Sequence, residues 1–420
     1  MSLWQLLKNL LFGGTAASSN PAVRNTEHER RRGRPRLQPL NYSQHSRNRQ
    51  PSRQVSEKPY LYARKDTYRQ DGWYDLREGG DAEFLQQEGL PLIESPAELA
   101  DWLDLKPGQL AWLTHFFSPG SRAESVEQSH YHYHWVSKRS GGERLIESPK
   151  PMLKQVQSKI LQGILNQVPV HRSCHGFTRG RSILSNAEPH CGQRLLLKFD
   201  LQNFYPSVSL NRVIAIFRSL GYNREVAIWL GRLTTTAIPS SIPFPEEGPK
   251  GLRDYLADHL PQGAPTSPAL ANLSAFSLDL RLHGLANSFG ANYTRYADDI
   301  TFSGPETLLK SLKTLIPLVE AVIRDERFTV NKAKRKVIRN NQRQTVCGVV
   351  VNEHPNYSRK EFDRLKAMLF NCIRFGPDSQ NREGHPNFRE HLWGRISFVK
   401  QLNPARGAKL EALWNQISWS

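Results

Sequence analysis

Leu196-Leu197-Lys198-Phe199 is an apolar run of the kind that forms a buried strand, and it leads directly into Asp200. A second pattern, Tyr293-Thr294-Arg295-Tyr296-Ala297-Asp298-Asp299-Ile300-Thr301-Phe302, puts β-formers on both sides of an acidic pair. It predicts two strands joined by a tight turn, with both carboxylates at the tip. Apolar spacings of three and four predict helix over 84–117, 151–168, 210–220, 224–235 and 306–325. A strand pair is expected over 130–147 with Ser140-Gly141-Gly142 at its turn, and further strands over 336–339 and 345–351. The Pro- and Gly-rich stretch 237–250 reads as an irregular insertion. From Ser358 onward the chain is helical, with Arg359, Lys360, Arg364 and Lys366 in its first stretch. Such mixed elements predict an α+β fold with a sheet of the split βαβ type.

Two adjacent acids on a turn usually mark a solvated loop. Here a third acid ends an apolar strand, and strands that end in carboxylates can gather oxygen ligands around hard cations such as Mg²⁺. Asp200, Asp298 and Asp299 are therefore candidate ligands.

The order of motifs resembles that of reverse transcriptases. Pro261-Gln262-Gly263-Ala264-Pro265-Thr266-Ser267-Pro268 matches the QGxxxSP element, and Phe328-Thr329-Val330-Asn331-Lys332-Ala333-Lys334 resembles LNxxK. His175-Gly176-Phe177-Thr178-Arg179-Gly180-Arg181-Ser182 is similar to the segment between fingers and palm. Asn186-Ala187-Glu188-Pro189-His190 matches the NAxxH element of the retron branch. Val346-Cys347-Gly348 resembles that branch's VTG element, with cysteine in place of threonine. The segment 95–103 is similar to an N-terminal helix of retron enzymes. The resemblance covers roughly residues 95–414.

This likeness implies a right-hand polymerase. Residues 1–60 would be a basic disordered extension with a short amphipathic helix, 80–195 N-terminal helices and fingers, 196–355 the palm, and 356–420 a helical thumb. It implies an RNA-directed DNA polymerase with two Mg²⁺ ions as cofactors, which would activate the primer hydroxyl and stabilise the leaving oxygen. Asp200 and Asp298 would bridge them, with the Leu201 carbonyl a ligand of the second and Asp299 in support. Tyr205 would exclude a ribose 2′-hydroxyl, although core packing competes for any aromatic after a buried strand. Gln262 and Gly263 would let the nucleotide and template approach. Arg144 and Arg181 would hold the triphosphate. Lys334 would be the acid for pyrophosphate, with Lys332 and Lys336 as close neighbours. Asn186, His190, Val346 and Gly348 are the positions for specific RNA contacts, and a purely structural polar role is an equal alternative there. The implied partners are a structured non-coding RNA, its cDNA, deoxynucleotides and a separate effector polypeptide. The implied product is a branched RNA–DNA primed from a guanosine 2′-hydroxyl, made in defence against phage. Two rivals stay open: a group II intron-like enzyme with 3′-hydroxyl priming, and an RNA-binding scaffold with a vestigial site.

Composition supports a polyanionic partner, since 420 residues carry a formal charge of +18. Residues 1–60 hold eleven Lys/Arg against three Glu, so +8 of that charge lies there. Residues 13–59 are poor in large apolar groups and predict disorder. Arg32-Gly33-Arg34-Pro35-Arg36 resembles an AT-hook core, although a basic arm for phosphates fits as well. Four cysteines without a CxxC pair suggest a reduced cytoplasmic protein. Residues 2–12 are apolar but short, interrupted by Lys8 and without a positive n-region, and so predict an amphipathic helix rather than a signal peptide. His171, Cys174, His175, His190 and Cys191 crowd together in sequence, but in no structural zinc spacing.

Overall fold

The computed structural model describes residues 79–114, 122–137, 143–243 and 255–419, with the backbone of two short paired strands, Arg64–Lys65 and Trp73–Tyr74. The 1–60 extension, its amphipathic helix, the Arg-rich segment 32–36 and the turn at 140–142 lie outside the described residues. The chain divides into two compact units.

The first unit includes residues 149–169 and 210–234 beside the N-terminal segment. The helical pattern over 84–117 resolves into three short helices, Ala82–Gln87, Pro96–Trp102 and Pro107–Leu113. Proline is the reason for the breaks. Pro96 and Pro107 each occupy a first helical position, where a missing N–H costs nothing. Asp81 and Ser95 cap the first two helices through their side chains. Pro151–Gly163 carries Gln157, whose buried amide donates to the Leu233 carbonyl at 2.9 Å. Leu210–Ser219 and Arg224–Thr234 complete this unit around buried Phe217, Tyr222 and Trp229.

The second unit is built on a five-stranded antiparallel sheet. Its central strand, Leu195–Gln202, pairs on one side with Asp299–Gly304, which turns back into Asn292–Tyr296 at the edge. On the other side it meets Thr329–Val330 and Lys336–Arg339. The register runs from Leu195 opposite Gly304 to Asp200 opposite Asp299. Phe199 packs edge-on against Phe302, with ring centroids 6.1 Å apart. The strand expected over 345–351 is instead a hairpin, Thr345–Val346 with Val349–Val350, outside this sheet. Cys347 and Gly348 both have positive φ (+46° and +85°), which suits a two-residue turn between twisted strands. The hairpin packs Val346 and Val349 against Leu196. Three C-terminal helices, Arg359–Phe375, Phe388–Leu402 and Pro404–Trp414, share a core of Leu365, Leu369, Leu392, Ile396 and Leu410.

Two buried groups fix the acidic hairpin. Arg295, fully buried on its edge strand, makes a bidentate pair with Asp279 at 2.7 and 2.6 Å. Its remaining nitrogen, Nη1, donates to Asn272 Oδ1 and to the Ala297 carbonyl, both at 3.0 Å. Tyr293 adds a hydroxyl donor to Asp279 at 2.7 Å. His190 sits between the two strands of the hairpin, with Nδ1 2.7 Å from Ser303 Oγ and Nε2 2.7 Å from Thr294 Oγ1. Its burial, with the charges of His175 and Lys198, pushes its pKa down to about 3. His175 is held down to about 4 by burial and by Arg181.

A buried neutral histidine binds fewer protons than the same histidine in the unfolded chain. The stability it supports is therefore present above pH 6.5 and is lost as pH falls toward 3. Unfolding free energy measured by urea titration should drop between pH 6.5 and 4.5, with each such histidine contributing up to about 1.4 kcal/mol per pH unit. His190→Gln should flatten that slope by one histidine's share. An unchanged slope would show that His190 does not carry it.

Candidate active site

Asp200 faces Asp299 across the central pair of strands, and Asp298 occupies the turn beside them. The Leu201 amide donates to the Asp298 carbonyl at 3.0 Å, so the turn is tied to the central strand as well as to its own. Only Ala297 and Asp298 connect the two hairpin strands, and Ala297 has φ +54°, a left-handed value that favours glycine. Such strain costs about 1–3 kcal/mol and persists only where its surroundings hold it. Arg295 holds the Ala297 carbonyl. From the other side Gly176 abuts the turn so closely that a β-carbon there would lie 2.6 Å from the Ala297 nitrogen. The segment before Gly176 is itself fixed to the hairpin edge, since the His175 amide donates to the Arg295 carbonyl and the Arg295 amide to Ser173, each at 2.8 Å.

Electrostatics mark the cluster. Asp298 is pushed up to about 6 by burial and then by the charges of Asp200 and Asp299. Asp299 is raised as well, first by burial, with Asp200 adding to it against Lys198. Such crowding disfavours three free carboxylates and favours a shared cation. The donor set is hard oxygen throughout, which fits Mg²⁺ or Mn²⁺ rather than a soft metal. In this conformation Asp200 Oδ2 is turned toward Lys334 Nζ at 3.0 Å. Among the described residues no group of three His, Cys, Asp or Glu side chains stands ready to hold a metal ion.

The remaining sequence-derived positions are distributed around this centre. Phe204 takes the core role, buried against Phe328 with centroids 5.7 Å apart, while neighbouring Tyr205 is only partly buried. Burial raises the Tyr205 hydroxyl to about 12, and the nearby Asp298 charge adds to it. Arg144 is exposed on the strand Glu143–Pro149, between Glu143 and the buried Leu145. Arg181 is exposed, with one guanidinium nitrogen 3.4 Å from His175 Nε2. Gly263 is exposed, has φ +133° and lies against the Glu147 carbonyl, while Gln262 is partly buried. Asn186, His190 and Val346 are buried and make internal contacts, and within their group only Gly348 reaches the surface. The Asn186 amide donates to Cys347 Sγ at 3.4 Å, so the substituted cysteine has taken a polar partner. Burial favours the structural alternative for Asn186 and His190.

Sequence reading missed Arg295, Asp279 and Asn272. One signal was present: Arg295 lies among β-formers beside the acidic turn, in the run Tyr293–Arg295 that is buried throughout, where a charge requires a partner.

The family model described as reverse transcriptase (RNA-dependent DNA polymerase) matches residues 136–357. The chain is 39% identical over 333 residues to the retron Mx65 reverse transcriptase of Myxococcus xanthus, covering 78% of this chain and 72% of that protein. It is 34% identical to the retron Mx162 reverse transcriptase of the same organism, covering 77% and 67%. Against the retron Ec86 reverse transcriptase of Escherichia coli it is 32% identical, covering 65% and 77%. With an acidic strand and an acidic turn side by side in the matched region, and with relatives of this kind over most of its length, the chain belongs to the reverse transcriptases, RNA-directed DNA polymerases, and among them to the retron type.

Proposed function

We propose that this retron reverse transcriptase copies a structured non-coding RNA into a branched DNA, starting from the 2′-hydroxyl of a guanosine in that RNA, as part of an anti-phage system with a separate effector. The observation that carries the chemical reading is the juxtaposition of Asp200, Asp298 and Asp299 on paired strands and a braced turn. Two Mg²⁺ ions would activate the primer hydroxyl and stabilise the leaving pyrophosphate. Asp200 and Asp298 would hold both ions, with the Leu201 carbonyl as a further ligand and Asp299 in support. Arg144 and Arg181 would bind triphosphate oxygens, a task suited to the guanidinium fork. Tyr205 would close over the deoxyribose, and Gln262 and Gly263 would let backbone and amide approach the incoming nucleotide and template. Lys334, already 3.0 Å from Asp200, would protonate the departing pyrophosphate. In this reading residues 80–195 carry the fingers, 196–355 the palm and 356–420 a thumb that grips the duplex. No described helix is long and apolar enough to cross a membrane.

The test is to express the chain with its upstream intergenic region and examine the cellular nucleic acid. The expected product is a short, abundant DNA joined to RNA, sensitive to a 2′–5′ debranching enzyme. Asp298→Asn should lower synthesis by about a thousandfold or more, as expected for loss of several kcal/mol of metal-borne stabilisation. DNA without the branch would favour 3′-hydroxyl priming. Near-wild-type synthesis by Asp298→Asn would refute the assignment.

Tyr205→Ala opens space at the sugar. The ratio of ribonucleotide to deoxynucleotide kcat/KM should rise by about ten- to hundredfold, the scale of discrimination a shaped pocket supplies. An unchanged ratio, measured by single-nucleotide extension, would return Tyr205 to a packing role.

A further inference from the structure

We propose that Glu147 and His259 form a buried pair that positions the deoxynucleotide-binding loop, making both of them positioning residues for nucleotide affinity. This inference rests on the polymerase reading of the site. Glu147 Oε2 lies 2.9 Å from His259 Nε2, and the two side chains are 0% and 1% exposed. His259 Nδ1 lies 2.7 Å from the Ala257 carbonyl. Both ring nitrogens thus face acceptors, so the pair retains a proton that a lone neutral imidazole would lack. Burial opposes a charge on His259, but the Glu147 charge and hydrogen bond, with the Ala257 carbonyl, outweigh it and raise its pKa.

Three elements of the proposed pocket converge on this pair. The Glu147 amide donates to the Gln262 carbonyl at 2.8 Å, and the Gln262 amide points back to Glu147 Oε2 at 3.4 Å. The Glu147 carbonyl lies against Gly263, where a β-carbon would come within 3.1 Å of it. Arg144 sits three residues earlier on the strand that ends with Glu147 and its neighbours. On the His259 side, the backbone exchanges hydrogen bonds with Thr236 at 2.9 and 3.0 Å. The next amide, of Leu260, donates to Val208, whose own amide donates to Tyr205. Backbone hydrogen bonds and the Glu147–His259 contact together link the strand that carries Arg144 to Gln262–Gly263 and to Tyr205.

The pair is poorly built for stability alone. Glu147 Oε1 has no hydrogen-bond partner among the described residues. A buried ion pair with an unsatisfied oxygen gains little over well-packed apolar residues. Its value lies in fixing the register of the loop.

The experiment is steady-state incorporation of dTTP by the purified full chain on an oligo(dT)-primed poly(rA) template. Glu147→Ala and His259→Phe should raise the KM for dTTP by about tenfold or more, with kcat and the KM for primer–template within about threefold. Glu147→Gln should largely restore the KM. Its carboxamide nitrogen can take the Oε2 position and donate to a neutral His259 that keeps its Nδ1–H on the Ala257 carbonyl. Only the long 3.4 Å contact from the Gln262 amide is lost. If Glu147→Ala does not fold by circular dichroism, His259→Phe and Glu147→Gln decide the matter by the same KM comparison. An unchanged KM in folded His259→Phe, or Glu147→Gln as impaired as the alanine variant, would overturn the proposal. Asp298→Asn run alongside separates the two readings: its full activity would remove the polymerase site itself, whatever the Glu147 variants do.

Discussion

The Arg295–Asp279 ion pair is the constraint on which the candidate site depends. Removing a guanidinium from water is costly, and a buried pair repays that only when the geometry is good and the remaining donors are used. Here both conditions hold for Arg295. Two nitrogens grip one carboxylate, and a third reaches Asn272 and the Ala297 carbonyl. The last contact matters most. It connects the helix Phe276–Ser288, which supplies Asp279, to the strained turn that presents Asp298.

Around that pair the site is held from several sides by small, specific contacts. Asn272 donates to the Gly176 carbonyl at 2.7 Å, and Gly176 in turn leaves no gap at the turn. His190 links the two strands of the hairpin through Ser303 and Thr294. Carboxylates brought together this way repel one another, which adds to burial in raising Asp298. The scaffold must therefore be stiff enough to hold them, and the buried polar network provides that stiffness.

The clustering of the three carboxylates was legible in the sequence because its signal is local: an apolar strand running into one acid, and a β-turn-β pattern around two. Element positions were also legible at Pro151, where proline opens a helix, and over Lys336–Arg339, where the expected strand forms. The hairpin at 345–350 was misread as one strand because Cys347 adopts a positive φ that its residue type does not advertise. The braces were not legible. Asp279 pairs with Arg295 from sixteen residues away, and Glu147 meets His259 from a separation of 112. Such partnerships come from the fold, since the sequence marks only that a charge lies on a buried face. The same holds for Asn186 and His190, whose motif was visible while their burial was not.

The most direct test of this dependence is Mn²⁺ binding to the purified chain, followed by electron paramagnetic resonance. The comparison is between the native protein and Asp279→Asn, with folding checked by circular dichroism. Asp279 lies in the pair behind the turn, so its loss should act on the cation only through the turn's position. A folded Asp279→Asn protein that binds Mn²⁺ about tenfold more weakly, a loss of roughly 1.4 kcal/mol, is the expected result. Native affinity in that folded variant would contradict the account, because the carboxylates would then hold their places without the buried pair.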